Sequence, residues 1–284
     1  MATFQSAVSE DGWRRVREIG NAGVLVGIPC FNNASTVGHV VEAAAQGLAH
    51  HFPDLKGVIV ASDGGSSDGT LRVVQDSAVP QGIEKVALAY QGVAGKGSAF
   101  RAVFEVARAL GVVGCVVVDS DLRSITPDWI RLLAAPVVEG SYGYVAPYYT
   151  RYKYDGTITN SIAYPMTRAL YGVGVRQPIG GDFGFSAGLL DHYLSQDVWE
   201  SDVARFGIDV WMTTTAINEG FSVCQAQLGA KIHDAKDPAA SLGPMFRQVV
   251  GTLFGLMGRY ESRWKAVQGS RPNTVHLRSR TASR

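Results

Sequence analysis

The chain of 284 residues holds only three cysteines, Cys30, Cys115 and Cys224, far apart and set in apolar stretches. No Cys-x-x-Cys occurs, so neither a zinc knuckle nor a disulfide framework is expected, and the thiols read as reduced. Charge is also scarce, at 18% of residues against 46% hydrophobic. That balance belongs to a folded globular protein and excludes an intrinsically disordered one. The longest apolar run, around residues 110–118, falls well short of the ~18 residues that span a bilayer. Residues 1–17 mix acid and base and lack the apolar segment of a secretory signal. A cytoplasmic location is expected.

The charge that is present is unevenly placed. Residues 259–284 hold seven Lys/Arg against one Asp/Glu, which leaves residues 1–258 with 19 against 24. The formal net charge of +1 argues against a surface built for nucleic acid, and no nucleic-acid partner is expected. A basic tail over 269–284 reads as a disordered, solvated end. Its functional alternative is contact with anionic lipid at the inner membrane face, next to the apolar stretch 246–257. Glycine, by contrast, is abundant, with 33 residues where average usage is about 7%. The glycines have no Gly-X-Y period and cluster at particular turns.

The first half alternates short apolar runs with helical patterns. Strands are expected at residues 24–28, 58–61, 85–90 and 115–119, and helices from Ser35 or Thr36 onward, at 69–76 and at 97–110. This alternation means βαβ units and a mostly parallel sheet. The second half is less regular: helices are expected at 157–171, 209–218 and 242–267 and a strand at 222–230. Residues 177–185 read as glycine-rich and 142–154 as aromatic-rich, with Tyr148, Tyr149, Tyr152 and Tyr154 able to stack on a sugar ring or to cover the core. The expected organisation is one catalytic domain over 1–240, a helical extension over 241–268 and the tail over 269–284.

In parallel sheets, ligands bind beyond the carboxyl ends of the strands. Three polar clusters fall there: residues 29–33, 62–68 and 119–121. Asp119-Ser120-Asp121 can hold a divalent cation, Mg²⁺ or Mn²⁺, through hard oxygen ligands that a diphosphate completes. Asp63, opening a Gly/Ser-rich turn, can meet a base and ribose. Lys96, between Gly95 and Gly97 and just before a helix, can meet phosphate, although Tyr90 stands where a P-loop needs glycine.

Together these features resemble the GT-A glycosyltransferases of family 2 type. The likeness lies in Ile28-Pro29-Cys30-Phe31-Asn32-Asn33, then Asp63-Gly64-Gly65-Ser66-Ser67-Asp68-Gly69-Thr70, then Gly95-Lys96-Gly97, then Asp119-Ser120-Asp121, in that order. Gln177-Pro178-Ile179-Gly180-Gly181-Asp182, Phe206-Gly207-Ile208-Asp209, Lys231-Ile232-His233-Asp234 and Met245-Phe246-Arg247-Gln248-Val249 look like the retaining glucosyl- and mannosyl-3-phosphoglycerate synthases. The resemblance implies a Rossmann-like α/β fold with a helical C-terminal extension and a metal held by Asp121 and His233. It implies a donor site lined by Pro29, Cys30, Phe31, Asn33, Asp63, Gly64, Lys96, Asp119 and Ser120, with Gly180 and Gly181 facing the donor sugar. Thr159, Asp182 and Asp209 would lie near the acceptor. The chain departs from those synthases at Gly156-Thr157-Ile158-Thr159, where they carry an arginine before Val-Thr, and at Ala235, where they carry asparagine. Phosphoglycerate is therefore not carried over as acceptor.

The implied activity is metal-dependent transfer of a hexose from a UDP- or GDP-sugar to a small hydroxyl acceptor by a homodimeric enzyme. With retention, the acceptor proton passes to a phosphate oxygen; with inversion, Asp182 or Asp209 is the candidate general base. An inverting, membrane-surface lipid or polysaccharide transferase is an alternative. So is a non-catalytic nucleotide-sugar scaffold, against which the joint presence of Lys96, Asp119, Asp121 and His233 argues.

Overall fold

The computed structural model describes residues 5–151, 155–233 and 238–276. Asp234, Ala235, Tyr152, Tyr154 and residues 277–284, which enter the sequence reading, lie outside them. After helix α1 (Glu10–Ile19), four strands, β1 (Val24–Cys30), β2 (Gly57–Asp63), β3 (Ile83–Ala89) and β4 (Gly114–Val117), alternate with α2 (Val37–His51), α3 (Thr70–Asp76) and α4 (Lys96–Ala109). The four strands pair in parallel in the order β3-β2-β1-β4. Their alternation is that of a sheet buried on both faces: Leu25, Val58 and Val60 join one apolar cluster, while Val24, Val26, Ile28 and Ile59 join the other.

The second half extends this sheet. Helix α5 (Pro127–Val138) begins with proline at its first turn, where a missing N–H costs nothing. Strand β5 (Tyr144–Thr150) follows, then a π-helical turn (Thr159–Ala163) running into α6 (Tyr164–Tyr171), the short β6 (Val173–Gly174), β7 (Phe183–Ser186) and α7 (Ala187–Leu194). A 3₁₀ turn (Asp202–Ala204) leads to α8 (Ile208–Asn218), β8 (Val223–Ala230), α9 (Pro238–Arg259) and α10 (Glu261–Lys265). β7 inserts antiparallel between β4 and β5, and β8 pairs with β5 in parallel.

Besides elements that the sequence reading left out, such as α1, α5 and β5, two features differ from it. The glycine-rich stretch around residue 184 is a strand, because Gly184 passes under α5: a Cβ there would stand 2.0 Å from the Leu133 carbonyl oxygen. The C-terminal segment expected to be loose from residue 269 instead forms β9 (Arg271–Pro272) against β6 and β10 (Val275–His276) against β8. Backbone pairing to exposed strand edges, with Arg271 N donating to Gly172 O at 2.8 Å and Gln225 N to Thr274 O at 2.9 Å, orders a polar segment that has no apolar pattern of its own.

Helix α9 packs on the domain through Val249, Leu253 and Leu256, all buried, as is Tyr260 just after it, while Phe246 and Phe254 stay exposed. Val249 and Leu253 share a small cluster with Ile158 and Val210. No described helix is long and apolar enough to cross a membrane.

The start of α4 is fixed by close backbone contact. Gly97 N donates to Arg205 O at 3.1 Å, and a Cβ on Gly97 would lie 1.9 Å from Val203 O and 2.7 Å from the Ala204 carbonyl carbon. Both obstacles are backbone and cannot swing away. Gly97→Ala is therefore expected to destabilise the fold by about 1–3 kcal/mol, the range for overpacking a filled site. Thermal melts of the variant would check it, and an unchanged midpoint would contradict the packing.

Candidate active site

The loops at the carboxyl ends of β1 and β2 are sewn together. Asn32 N donates to Ser66 Oγ (2.8 Å), Ser67 N to Asn32 Oδ1 (3.0 Å), Asn33 N to Thr70 Oγ1 (2.8 Å) and Ala34 N to Asp68 Oδ2 (3.0 Å). Asn32 accordingly takes a left-handed backbone, φ 54°, which asparagine tolerates better than most residues. Asp63 closes its own turn, accepting from Gly65 N at 2.9 Å, Ser66 N at 2.8 Å and Ser66 Oγ at 2.5 Å. Gly64 N donates to Cys30 O at 2.8 Å. Phe31 is exposed and Cys30 buried. Burial pushes the Cys30 thiol far above its ordinary value, which makes it no nucleophile.

The Asp119-Ser120-Asp121 turn leaves the end of β4 and is braced to β1. Ser120 Oγ donates to Asn33 Oδ1 at 2.8 Å, and Thr36 Oγ1 donates to Ser120 O at 2.8 Å. Thr36, expected as a helix cap, makes no side-chain cap bond; its hydroxyl serves this brace instead. Leu122 then pairs with His233 in an isolated antiparallel bridge, supported by Arg123 N to Ile232 O at 2.8 Å and Ile232 N to Ser124 Oγ at 2.9 Å. That bridge brings Asp121 and His233, 112 residues apart in sequence, to one wall.

Asp119 is gripped by two lysines. Lys96 Nζ lies 2.8 Å from Asp119 Oδ1 and 3.2 Å from Asp209 Oδ1. Lys231 Nζ lies 2.7 Å from Asp119 Oδ2, 2.8 Å from Asp182 Oδ2 and 2.8 Å from Gly180 O. Burial disfavours both ammonium ions, but the carboxylates outweigh it: Asp119 and Asp209 hold Lys96, and Asp119 and Asp182 hold Lys231, above the ordinary lysine value. Both lysines are therefore cationic at neutral pH. Burial also raises the carboxyls of Asp182 and Asp209 above the usual range, against the pull of Lys231 and Lys96 respectively.

Asp182 is wholly buried. Besides Lys231, it accepts from Asp119 N at 2.8 Å and from the Tyr149 hydroxyl. Tyr149, one candidate for stacking on a sugar, is thus a core residue, its ring 5.8 Å from that of Trp129. The Gly180–Gly181 backbone is glycine for internal reasons. A Cβ on Gly181 (φ +89°) would stand 2.2 Å from Asp119 Oδ2, and one on Gly180 would stand 2.2 Å from Pro147 Cγ.

A cavity of about 360 Å³ opens on this cluster. Lys96, Asp119, Asp121, Thr159, Gly180, Gly181, Asp209 and His233 of the sequence-derived site line it, whereas Pro29, Cys30, Phe31, Asn33, Asp63, Gly64, Ser120 and Asp182 do not. The sequence reading gave Lys231 no role of its own and did not single out Arg151, and both line the cavity. The one signal for Lys231 was its place after a strand, two residues before His233. Nothing local marks Arg151.

The fold recurs in solved structures. Glucosyl-3-phosphoglycerate synthase from Mycobacterium tuberculosis, in complex with Mn²⁺, UDP and glucosyl-3-phosphoglycerate, superposes with a TM-score of 0.65 at 21% identity, covering 87% of this chain and 84% of that one. Its complex with Mg²⁺ and UDP gives 0.64 at 20%, covering 89% and 86%. The complex with Mn²⁺, UDP-glucose and phosphoglyceric acid gives 0.64 at 20%, covering 90% and 86%. No curated protein matches the chain in sequence. The sequence model of glycosyl transferase family 2 matches residues 25–194, more than half of the chain, and the protein belongs to that family.

Proposed function

We propose that the chain transfers a hexose from a UDP- or GDP-sugar to the hydroxyl of a small acceptor, with retention, at the cavity beyond β4. The observation that carries this reading is the Leu122–His233 bridge. It sets a carboxylate, Asp121, and an imidazole, His233, into one wall of a cavity also lined by two largely covered lysines, Lys96 and Lys231. Among the described residues no group of three or more His, Cys, Asp or Glu could hold an ion alone. An incomplete set of hard and borderline donors suits Mg²⁺ or Mn²⁺, which take their remaining ligands from substrate phosphates and water. Asp121 and His233 would hold the cation. When bound, it supplies positive charge against the negative charge that develops on the departing diphosphate.

The chain's own groups do the rest. Lys96, cationic and at the first turn of α4, presents its ammonium and the helix N-terminus to phosphate. Asp119, fixed from both sides by lysines, is placed to accept hydrogen bonds from sugar hydroxyls. Asp209 and Thr159 border the acceptor side. Asp182, with no exposure and its oxygens engaged, acts as a positioning residue for Asp119. This removes Asp182 as a general base for inversion and leaves Asp209, paired with Lys96, as the other of the two candidates. The M. tuberculosis synthase, whose complexes hold UDP, UDP-glucose and Mn²⁺, supports the donor and metal classes.

The test is calorimetric titration of UDP-glucose and GDP-mannose in Mn²⁺ and in excess chelator. One of the two is expected to bind at least about tenfold tighter with Mn²⁺, which is about 1.4 kcal/mol. Equal affinity under both conditions would remove the metal from the donor site.

A further inference from the structure

Arg151 stands directly after β5, with its side chain in the cavity wall. Its guanidinium lies 5.0 Å from the centre of the Tyr149 ring, and Lys231 Nζ lies 5.2 Å from the same centre. Tyr149 is immobilised by Asp182 and by Gly180 O, so the ring is a fixed platform. What differs between the two cations is their pairing. Lys231 is saturated by carboxylates. Arg151 has no ion pair or hydrogen bond among the described residues, and its Nε is buried without a partner. A guanidinium never loses its proton, and a buried charged donor left unmade is costly. Gly156, glycine because its backbone is left-handed (φ +68°), lies beside Arg151 Nη1, where a Cβ would make only ordinary contact at 3.5 Å.

Part of the cavity lining is apolar. Ile179, Met245 and Val249 line the cavity, and Leu242 and Phe206 line it while remaining 45% and 37% exposed. An acceptor made only of hydroxyls and charge would leave these side chains wet. A site with a cation unpaired among the described residues and an apolar part to its lining fits a ligand of the same two halves.

We propose that the acceptor is an amphipathic acid: a hydroxy compound whose carboxylate or phosphate is gripped by Arg151 and whose apolar part lies on Ile179, Met245 and Val249. Arg151 is then the residue that selects acceptors. The proposal rests on the reading of the cavity as a glycosyl-transfer site, and the experiment separates the two. UDP and Mn²⁺ binding is measured first. Glycerol, glycerate, glycerol 3-phosphate, 1-phenylethane-1,2-diol and mandelate are then titrated, with and without UDP and Mn²⁺. Wild type is expected to bind mandelate at least tenfold tighter than the diol, and at least threefold tighter than glycerate. Arg151→Met should erase the acid preference and leave the two neutral compounds and UDP unchanged. Met245→Gln should weaken mandelate and the phenyl diol and spare glycerate. The ratio of glycerate to glycerol 3-phosphate identifies the preferred anion. Should Arg151→Met fail to fold, Arg151→Lys, which keeps the charge without the planar fork, must show a partial loss of the acid preference. Acids binding no tighter than their neutral counterparts, or a variant that weakens all five equally, would overturn the proposal. Loss of UDP binding in wild type alone would overturn the donor reading instead.

Discussion

Replacing Lys231 by methionine is expected to remove about 3–5 kcal/mol of stability, the usual cost of deleting one member of a buried ion pair. Lys231 is only 4% exposed and serves Asp119, Asp182 and the Gly180 carbonyl at once. Methionine fills the same volume but leaves Asp182, at zero exposure, without a cation. Asp119 keeps Lys96, 2.8 Å away, so the penalty falls mainly on Asp182. The pH dependence follows from that. Burial already raises the Asp182 carboxyl despite Lys231, and loss of the ammonium raises it further. The folded variant then holds a proton that the unfolded chain, with a carboxyl near ~3.9, has released. Stability of the variant therefore falls as pH rises from the unfolded value through the folded one. Urea unfolding should show a gap to wild type that is wider at about pH 7.5 than at about pH 5. Lys231→Met/Asp182→Asn should recover part of the loss, because no buried charge is then orphaned. A gap independent of pH would mean that packing, not charge, explains the defect.

Lys231 also shows where sequence reasoning stops. β1 to β4 and their loops were legible because each apolar run ends in residues with a local signature: Pro29 and Asn33, Asp63 and the Gly/Ser turn, then Asp119. Residues 24–28, 58–61, 85–90 and 115–119 fell within or next to strands that form. α1 and α5 passed unread although both carry end signals. Ser9 caps α1, with Glu10 and Asp11 in its first turn, but its mostly charged sequence hides the three-residue spacing of Val16 and Ile19. α5 starts at Pro127 yet carries Pro136 inside, which reads as an interruption. β7 could not be seen at all. Four residues with a central glycine acquire strand geometry only because β4 and β5 flank them. Lys231 belongs with β7: a lysine after a strand is ordinarily solvated, and only the register of β8 beside β5 carries it to Asp119, 112 residues away. Local signals located the loops beyond β1, β2 and β4, while the charge network behind them is a product of sheet order.

Within Asp119-Ser120-Asp121 the two carboxylates have separate surroundings, which predicts separate phenotypes. Asp121→Asn preserves size and turn, and the brace from Ser120 to Asn33 does not involve it. The Leu122–His233 bridge is backbone and also survives. Under the proposed metal site, the group removed is an anionic ligand of the cation. Outer partners of metal ligands typically cost about 10–100-fold in metal affinity or activity, so loss of a direct ligand is expected to lower kcat/KM with Mn²⁺ by roughly 100-fold or more, while the melting temperature changes little. His233→Ala should weaken the Mn²⁺ response in the same direction. Asp119→Asn should differ in kind, because it leaves Lys96 and Lys231 facing each other across a neutral amide. Stability is its first casualty, with donor binding lost even in chelator. Measuring Mn²⁺ dependence and melting temperature on all three variants separates ligand from brace. If Asp121→Asn retained the wild-type Mn²⁺ dependence, the cation would have to sit elsewhere. If Asp119→Asn melted like wild type, the two lysines would not need the carboxylate between them.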